Sequence, residues 1–156
     1  MAACGGGDQA PTPTQFQLSF ASVSAAVATE QVEVYVFDAT QSKAEICNTL
    51  LIRRRSKQEL GPALVRSAPL SPCELQGGAG GLEVSFGTRA FFAIGLRQVD
   101  VGGARQPEDL LLGCTVLEVG PASPAPVIFL DYASTNVQEI PGTKCPAFSD
   151  HCHGAC

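Results

Sequence analysis

The chain has 156 residues, of which 45% are apolar and 16% are charged, and its formal net charge at pH 7 is −5. A chain of this length is about one domain and can bury roughly two thirds of its unfolded surface. The negative charge argues against a general nucleic-acid binder, which needs a positive surface, and no apolar run approaches the roughly 18 to 20 residues of a membrane span. We therefore expect a soluble, single-domain body.

The N-terminus reads Met1-Ala2-Ala3-Cys4 and continues with three glycines. Two small residues before a Cys resemble the lipobox of bacterial lipoproteins, although Met1 stands where Leu is usual and the charged and apolar parts of a signal are missing. The resemblance implies that Cys4 carries a lipid and that Met1 lies inside a longer precursor. It also implies a place in the bacterial cell envelope, at the outer membrane or the cell surface. The alternative is a cytosolic protein that merely begins with Ala-Ala-Cys.

The segment behind Cys4, residues 5–15, is rich in Gly, Pro and Thr. Glycine keeps such a segment flexible and proline biases it towards extended conformations, so we expect a tether between the lipid and the folded domain. This composition divides the chain into a lipobox remnant and tether at 1–15, a β domain at 16–133 and a Cys-rich tail at 134–156.

Alternating apolar and polar residues predict the first two strands. Residues 16–20 alternate strictly, and residues 31–37 alternate again, with three valines on one face and two aromatic residues on the other. The second pattern is typical of a strand that is more central in a sheet.

One helix is predicted at 43–57, because Ser42 and Glu45 have the spacing of a capping box and apolar residues follow at helical spacing. The C-terminal end of this helix carries four basic residues, Arg53, Arg54, Arg55 and Lys57. They form a candidate anion-binding site for lipid phosphates or acidic glycans beside the membrane. The alternative is that cations simply favour the negative end of a helix.

The second half of the β domain begins with an irregular segment. Residues 60–81 contain many prolines and glycines and predict a loop with at most one edge strand. A β-hairpin is then predicted, because apolar residues alternate at 82–86 and again at 92–96 with a Gly-Thr pair between the two segments. A further loop leads to strands at 110–119 and 127–132, which makes about six or seven strands in all.

These elements predict a mainly β protein: a single antiparallel β-sandwich with one short helix and a Cys-rich C-terminal tail. Residues 82–132 contain, in this order, Leu-x-Val-x-Phe-Gly, an aromatic strand, Leu-Gly-Cys and Val-x-Phe-Leu. This order resembles the second half of transthyretin-like and carboxypeptidase-regulatory-like domains. The resemblance implies a sandwich of the transthyretin or Ig type. It implies no single function, because such sandwiches serve as adhesins, binding modules, stalks and accessory domains.

The chain has seven cysteines. Assigning Cys4 to the lipid leaves six, a number that can pair fully into three disulfides in an oxidising compartment. The six are Cys47, Cys73, Cys114, Cys145, Cys152 and Cys156. Six cysteines allow fifteen connectivities, and we favour Cys47 with Cys114 because both lie in apolar segments that we expect to be ordered. Closing that loop contributes roughly 4 kcal/mol in the chain-entropy model.

Both histidines of the chain, His151 and His153, lie in the C-terminal tail beside Cys152 and Cys156. These four side chains could bind a soft or borderline metal if the thiols stay reduced. In an oxidising compartment the cysteines pair instead, and this is the interpretation we favour.

The sequence contains no segment typical of a serine hydrolase, a P-loop, a dinucleotide site or an EF-hand. We expect no enzyme, no cofactor and no nucleic-acid partner, although a hydrolase with two carboxylates far apart in sequence stays open. The expected function is a membrane-anchored structural or protein-interaction domain that contacts other envelope proteins. The alternatives are a glycan- or ligand-binding module, favoured by an exposed cluster of Phe91 with Tyr35 or Tyr132, and a metal-binding protein that uses the tail.

Overall fold

The longest elements of the protein are two antiparallel strands that form one extended hairpin. The computed structural model describes residues 13–134 and 140–156, and it is mainly β. Its strands are β1 (Pro13–Thr14), β2 (Gln17–Phe20), β3 (Gln31–Asp38), β4 (Val65–Arg66), β5 (Leu82–Glu83), β6 (Gly87–Val101), β7 (Ala104–Val119) and β8 (Val127–Tyr132). Its helices are α1 (Val23–Ala28), α2 (Ile46–Arg55), α3 (Pro72–Gln76) and α4 (Phe148–Cys152).

Six strands form the main sheet in the order β2-β8-β7-β6-β3-β4, and β1 pairs with β5 in a small second sheet. The mainly β class predicted from the sequence is confirmed. The expectation of a purely antiparallel arrangement is wrong, because β2 and β8 run parallel. The path of the chain explains this arrangement. The chain leads from β2 through α1 to β3, and its last strand, β8, lies between β2 and β7 in the sheet.

The hairpin at the centre joins β6 to β7 through Gly102 and Gly103, whose φ angles are 60° and 84°. Glycine reaches these angles without the steric cost of a Cβ, which suits a two-residue turn. The sequence predicted a different hairpin, between residues 82–86 and 92–96, and that prediction is wrong. Both edges of β6 are taken by β3 and β7, so β5 pairs with β1 instead.

The main sheet buries side chains on both of its faces. The face covered by α1, α3 and the small sheet is here called the α1 face, and the face covered by α2 is called the α2 face. Buried side chains of the α1 face include Val32, Val34, Val36, Phe91, Ala93, Ile128 and Leu130. Buried side chains of the α2 face include Phe37, Leu50, Phe92, Ile94 and Leu112. Helices on both faces explain why β6 is apolar and buried at every position from 90 to 94.

The strands β7 and β8 approach each other closely at Gly113. A Cβ at this position would collide with the carbonyl oxygen of Phe129. Glycine is therefore required here for the close contact between two strand backbones.

The helices differ from the prediction in number and in position. The expected helix at 43–57 is present as α2, but it begins at Ile46, and its N-cap Glu45 makes no side-chain capping bond. A complete capping box occurs instead at Ser71 and Glu74, where each side chain accepts a hydrogen bond from the backbone N–H of the other residue. It begins α3, inside the segment predicted as a loop.

Both ends of the described chain are tied to the main body. Pro13 and Thr14, assigned to the tether, pair with Glu83 and Leu82. In the tail, the ring of Phe148 lies 5.6 Å from that of Phe20, and Cys152 is bonded to Cys73. Within the described ranges, no helix combines the length and the apolar character that a membrane crossing requires.

Candidate functional site

Three disulfides connect the six cysteines that follow Cys4. Cys47 is bonded to Cys114 with a Cα–Cα distance of 5.5 Å, which is the pairing that the sequence favoured. Cys47 lies in the first turn of α2 and Cys114 lies in β7, so this bond fixes the helix to the α2 face of the sheet. A cross-link between elements 67 residues apart restricts the unfolded chain strongly.

The other two bonds belong to the C-terminal tail. Cys73 is bonded to Cys152, which joins α3 to α4, and Cys145 is bonded to Cys156. The expected pairing of the tail cysteines with one another or with Cys73 is thus what the structure contains.

The candidate metal site in the tail comprised His151, Cys152, His153 and Cys156. The two thiolates that it needs are consumed by disulfides, and the imidazole of His151 lies 6.0 Å from the ring of Phe148. Throughout 13–134 and 140–156, no three His, Cys, Asp or Glu side chains come together in a way that could hold a metal ion. The candidate lipid-attachment residue, Cys4, lies outside the described residues.

The candidate anion site at the end of α2 is engaged in internal contacts. Arg54 donates two hydrogen bonds to the carboxylate of Asp109, at 2.6 and 2.7 Å. The hydrogen bonds to Asp109 raise the pKa of the Arg54 guanidinium above its ordinary value. The side chains of Arg53 and Arg55 donate to backbone carbonyl oxygens.

The acceptor for Arg55 is the carbonyl of Ala133, at 3.0 Å, and the acceptor for Arg53 is the carbonyl of Leu60, at 3.3 Å. The three arginines therefore connect α2 to β7, to the end of β8 and to the loop that follows α2. Lys57, the fourth residue of the predicted site, is exposed and adopts a positive φ of 55° just after the helix.

A broad groove of about 1820 Å³ runs past this arginine cluster. Its walls carry both signs of charge, since Arg54, Arg55 and Lys57 line it together with Glu108, Asp109 and Asp131. Tyr35 and Tyr132 also line it, and Ser134 and Ile140 border it on either side of residues 135–139. Mixed charges and two tyrosines are suited to a polar, uncharged ligand that is held by hydrogen bonds.

Tyr35 is held in place by an acid and a base. Its hydroxyl donates to the Oε2 atom of Glu33 at 2.7 Å, and Arg66 donates to the same oxygen at 2.9 Å while its guanidinium lies 5.0 Å from the tyrosine ring centre. Burial, and then the hydrogen bond to Glu33, raise the pKa of Tyr35. The hydroxyl therefore stays protonated and acts as a donor at neutral pH.

The aromatic cluster considered from the sequence does not form as expected. Phe91 is fully buried on the α1 face, whereas Tyr35 and Tyr132 line the groove. The pairing of Asp109 with Arg54 was missed because the two residues lie 55 positions apart in the chain. No local pattern signals such a pair.

No protein family, curated protein or solved structure matches this chain.

Proposed function

We propose that the protein is a bacterial envelope lipoprotein, anchored through a lipid on Cys4, whose non-catalytic β domain is a structural or protein-interaction module. The observation that carries the proposal is the pairing of all six later cysteines in three disulfides, which leaves Cys4 as the odd residue. Disulfides of this number persist in oxidising compartments such as the bacterial periplasm. A seventh cysteine behind two small residues is then best used as the point of lipid attachment.

Exposed apolar side chains support the interaction role. Phe129 is 70% exposed, and Phe86, Ile52 and Leu64 are each 52% exposed. Phe129 projects from β8 on the α2 face, beyond the part of the sheet that α2 covers. Exposed aromatic and aliphatic side chains of this kind would supply contact surface to a protein-interaction module.

The finer fold assignment, a transthyretin-like or Ig-like sandwich, is part of the same proposal. It is supported by the layering of the small sheet on the main sheet, since Leu82 and Val84 pack into the core of the α1 face. Of the strands that carry the resemblance, β6, β7 and β8 follow one another in the main sheet, while β5 lies in the small sheet.

The anchor is tested in native cells that express the protein from its own gene and are fed a clickable palmitate analogue. The wild-type protein and a Cys47→Ser control should both be labelled, because Cys47 has no part in lipidation. The Cys4→Ser variant should carry no label. Equal labelling of wild type and Cys4→Ser, or no labelling of the wild type, would contradict the anchor.

A glycan- or ligand-binding module is the second candidate, and the groove beside the arginine cluster favours it. Tyr35 and Tyr132 offer rings and hydroxyls to a sugar, and Asp131 offers an acceptor. A glycan array probed with the purified protein separates the two candidates. Selective binding that is lost in Tyr132→Ala would favour this second function.

A further inference from the structure

Among the described residues, the strand β2 has a neighbouring strand on only one of its two edges. It stands at one end of the main sheet, and the backbone N–H of Gln17 donates to the carbonyl of Pro126 at 2.8 Å. In a parallel pair alternate residues bond to the neighbour, so Gln17 and Ser19 bond towards β8 while Leu18 and Phe20 point their backbone groups outwards. Among residues 13–134 and 140–156, no hydrogen bond reaches the outward N–H and C=O groups of Leu18 and Phe20.

A groove of about 660 Å³ follows this free edge. Five consecutive residues, 16–20, line it. A groove on one face of a strand would be lined by every second residue, because successive side chains point to opposite faces. The consecutive lining therefore places the groove along the edge of β2, where the unpaired backbone groups are.

The remaining walls come from three short helices. They comprise Ser22, Val23 and Ala26 at α1, Pro72, Leu75 and Gln76 of α3, and Phe148 of α4. Of the described residues that line this groove none is charged, whereas the groove beside the arginine cluster carries both signs. A charged occupant would lose hydration here without finding a partner, so the lining selects an uncharged one.

The walls are held in place before anything binds. The disulfide between Cys73 and Cys152 fixes α3 to α4, and the capping box of Ser71 and Glu74 fixes the start of α3. The ring of Phe148 also packs against the side chain of Phe20. A preformed groove costs little reorganisation on binding, which leaves more of the contact energy for affinity.

We propose that the free edge of β2 binds an extended, uncharged peptide segment of a partner protein as an added strand. The backbone of the peptide pairs with Leu18 and Phe20, and its alternate apolar side chains enter the groove beside Leu75 and Phe148. A single peptide strand suits this edge because its backbone supplies the pairing groups and its uncharged side chains match the uncharged walls, whereas the β2 edge of a second copy brings its own α3 and α4 with it. This inference rests on the protein-interaction part of the proposed function and names the chemistry of the partner.

The probe is a random peptide library displayed on phage and selected against the purified, oxidised full chain. Because no lipid is needed, failure of the lipid anchor leaves this experiment intact, and failure of peptide binding leaves the labelling of Cys4 intact. We expect the selected peptides to be uncharged with apolar residues at alternate positions. In the complex, hydrogen exchange at the amides of Leu18 and Phe20 should slow, while the amide of exposed Phe129 serves as reference.

Two variants test the backbone and the groove separately. Leu18→Pro removes an outward N–H without removing a donor to β8, and it should weaken peptide binding about tenfold or more. Gln76→Glu changes one exposed wall residue with little effect on folding, and it should weaken binding about fivefold by placing a charge in the neutral groove. The matched control Gln58→Glu lies in the other groove and should leave the affinity unchanged.

A wild-type circular dichroism spectrum and a cooperative unfolding transition, together with the absence of free thiols, establish that each variant is folded. The proposal is overturned if no peptide is selected above background, or if the selected peptides bind without protecting the amides of Leu18 and Phe20. It is also overturned if Gln76→Glu and Gln58→Glu bind equally well. A concentration-dependent dimer that Leu18→Pro abolishes would show that a second copy occupies the edge, and would likewise overturn it.

Discussion

The centre of the main sheet and its margin are stabilised in different ways. In the centre, β3, β6 and β7 bury large apolar side chains, and Phe91, Phe92 and Ile94 are completely inaccessible to solvent. At the margin, α3 and α4 have five residues each, far below the roughly 12 to 15 that an isolated helix needs. A disulfide joins these two helices. The difference teaches that the centre depends on apolar burial, with the Cys47–Cys114 bond fixing α2 to it, whereas the short helices at the margin and along β2 depend mainly on disulfides.

Removing the disulfide at the margin of the sheet should lower the free energy of unfolding more than any other change considered below. In the chain-entropy model, a loop between residues 79 apart, as in Cys73 and Cys152, contributes about 4.5 kcal/mol. The double variant Cys73→Ser/Cys152→Ser should therefore lose about that much free energy of unfolding, measured by denaturant titration. Hydrogen exchange should show the loss first in α3 and α4. In this variant, amides of α3 and α4 that exchange no faster than those of the centre would contradict the division.

A cavity in the centre should cost almost as much. Phe91 has no exposed surface, so Phe91→Ala should lower the free energy of unfolding by about 4 kcal/mol. The control Phe129→Ala removes the same atoms from a side chain that is 70% exposed, and it should change stability by less than about 0.5 kcal/mol. Similar losses in both variants would show that burial does not distinguish the two positions.

Breaking the ion pair of Arg54 with Asp109 should have an intermediate effect on the free energy of unfolding. Arg54 and Asp109 are each about a third exposed or less and share two hydrogen bonds. Arg54→Met should lower the free energy of unfolding by about 2 kcal/mol, since it leaves the carboxylate without its partner. A double-mutant cycle with Asp109→Asn measures the coupling, and a coupling near zero would mean that the pair is only a surface contact.

The smallest effect is expected at the helix caps, where two Ser-x-x-Glu segments can be compared. Ser71→Ala should cost about 1 kcal/mol, because the Ser71 hydroxyl accepts from the backbone N–H of Glu74. Ser42→Ala should cost less than about 0.5 kcal/mol, because no cap forms at Ser42. Thermal unfolding of both variants measures the difference, and the reverse order would refute the assignment of the caps.

The same two segments show where prediction from the sequence succeeds and where it stops. The spacing of Ser and Glu is identical in both, but only the second has a proline, Pro72, at the first helical position. Proline fixes φ near its helical value and favours a helix start, and a disulfide at Cys73 then retains the short helix. The first segment has neither, so the chain forms turns there and α2 begins later.

Strand positions could be predicted because a strand with one buried face has apolar residues at every second position, as at Val32, Val34 and Val36. Strand pairing could not, because it depends on which edges are already occupied. Residues 82–86 alternate correctly, yet β6 has no free edge for them. The free edge of β2 and the pair of Arg54 with Asp109 also depend on segments far apart in the chain. No local sequence pattern therefore predicts them.

The central claim is that the protein folds in an oxidising compartment, where disulfides retain the margin of the sheet. The most direct measurement is the intact mass of the protein isolated from its native cells after alkylation under denaturing, non-reducing conditions. We predict that none of the six cysteines after Cys4 is alkylated. Alkylation at Cys73 and Cys152 in the isolated protein would contradict the account.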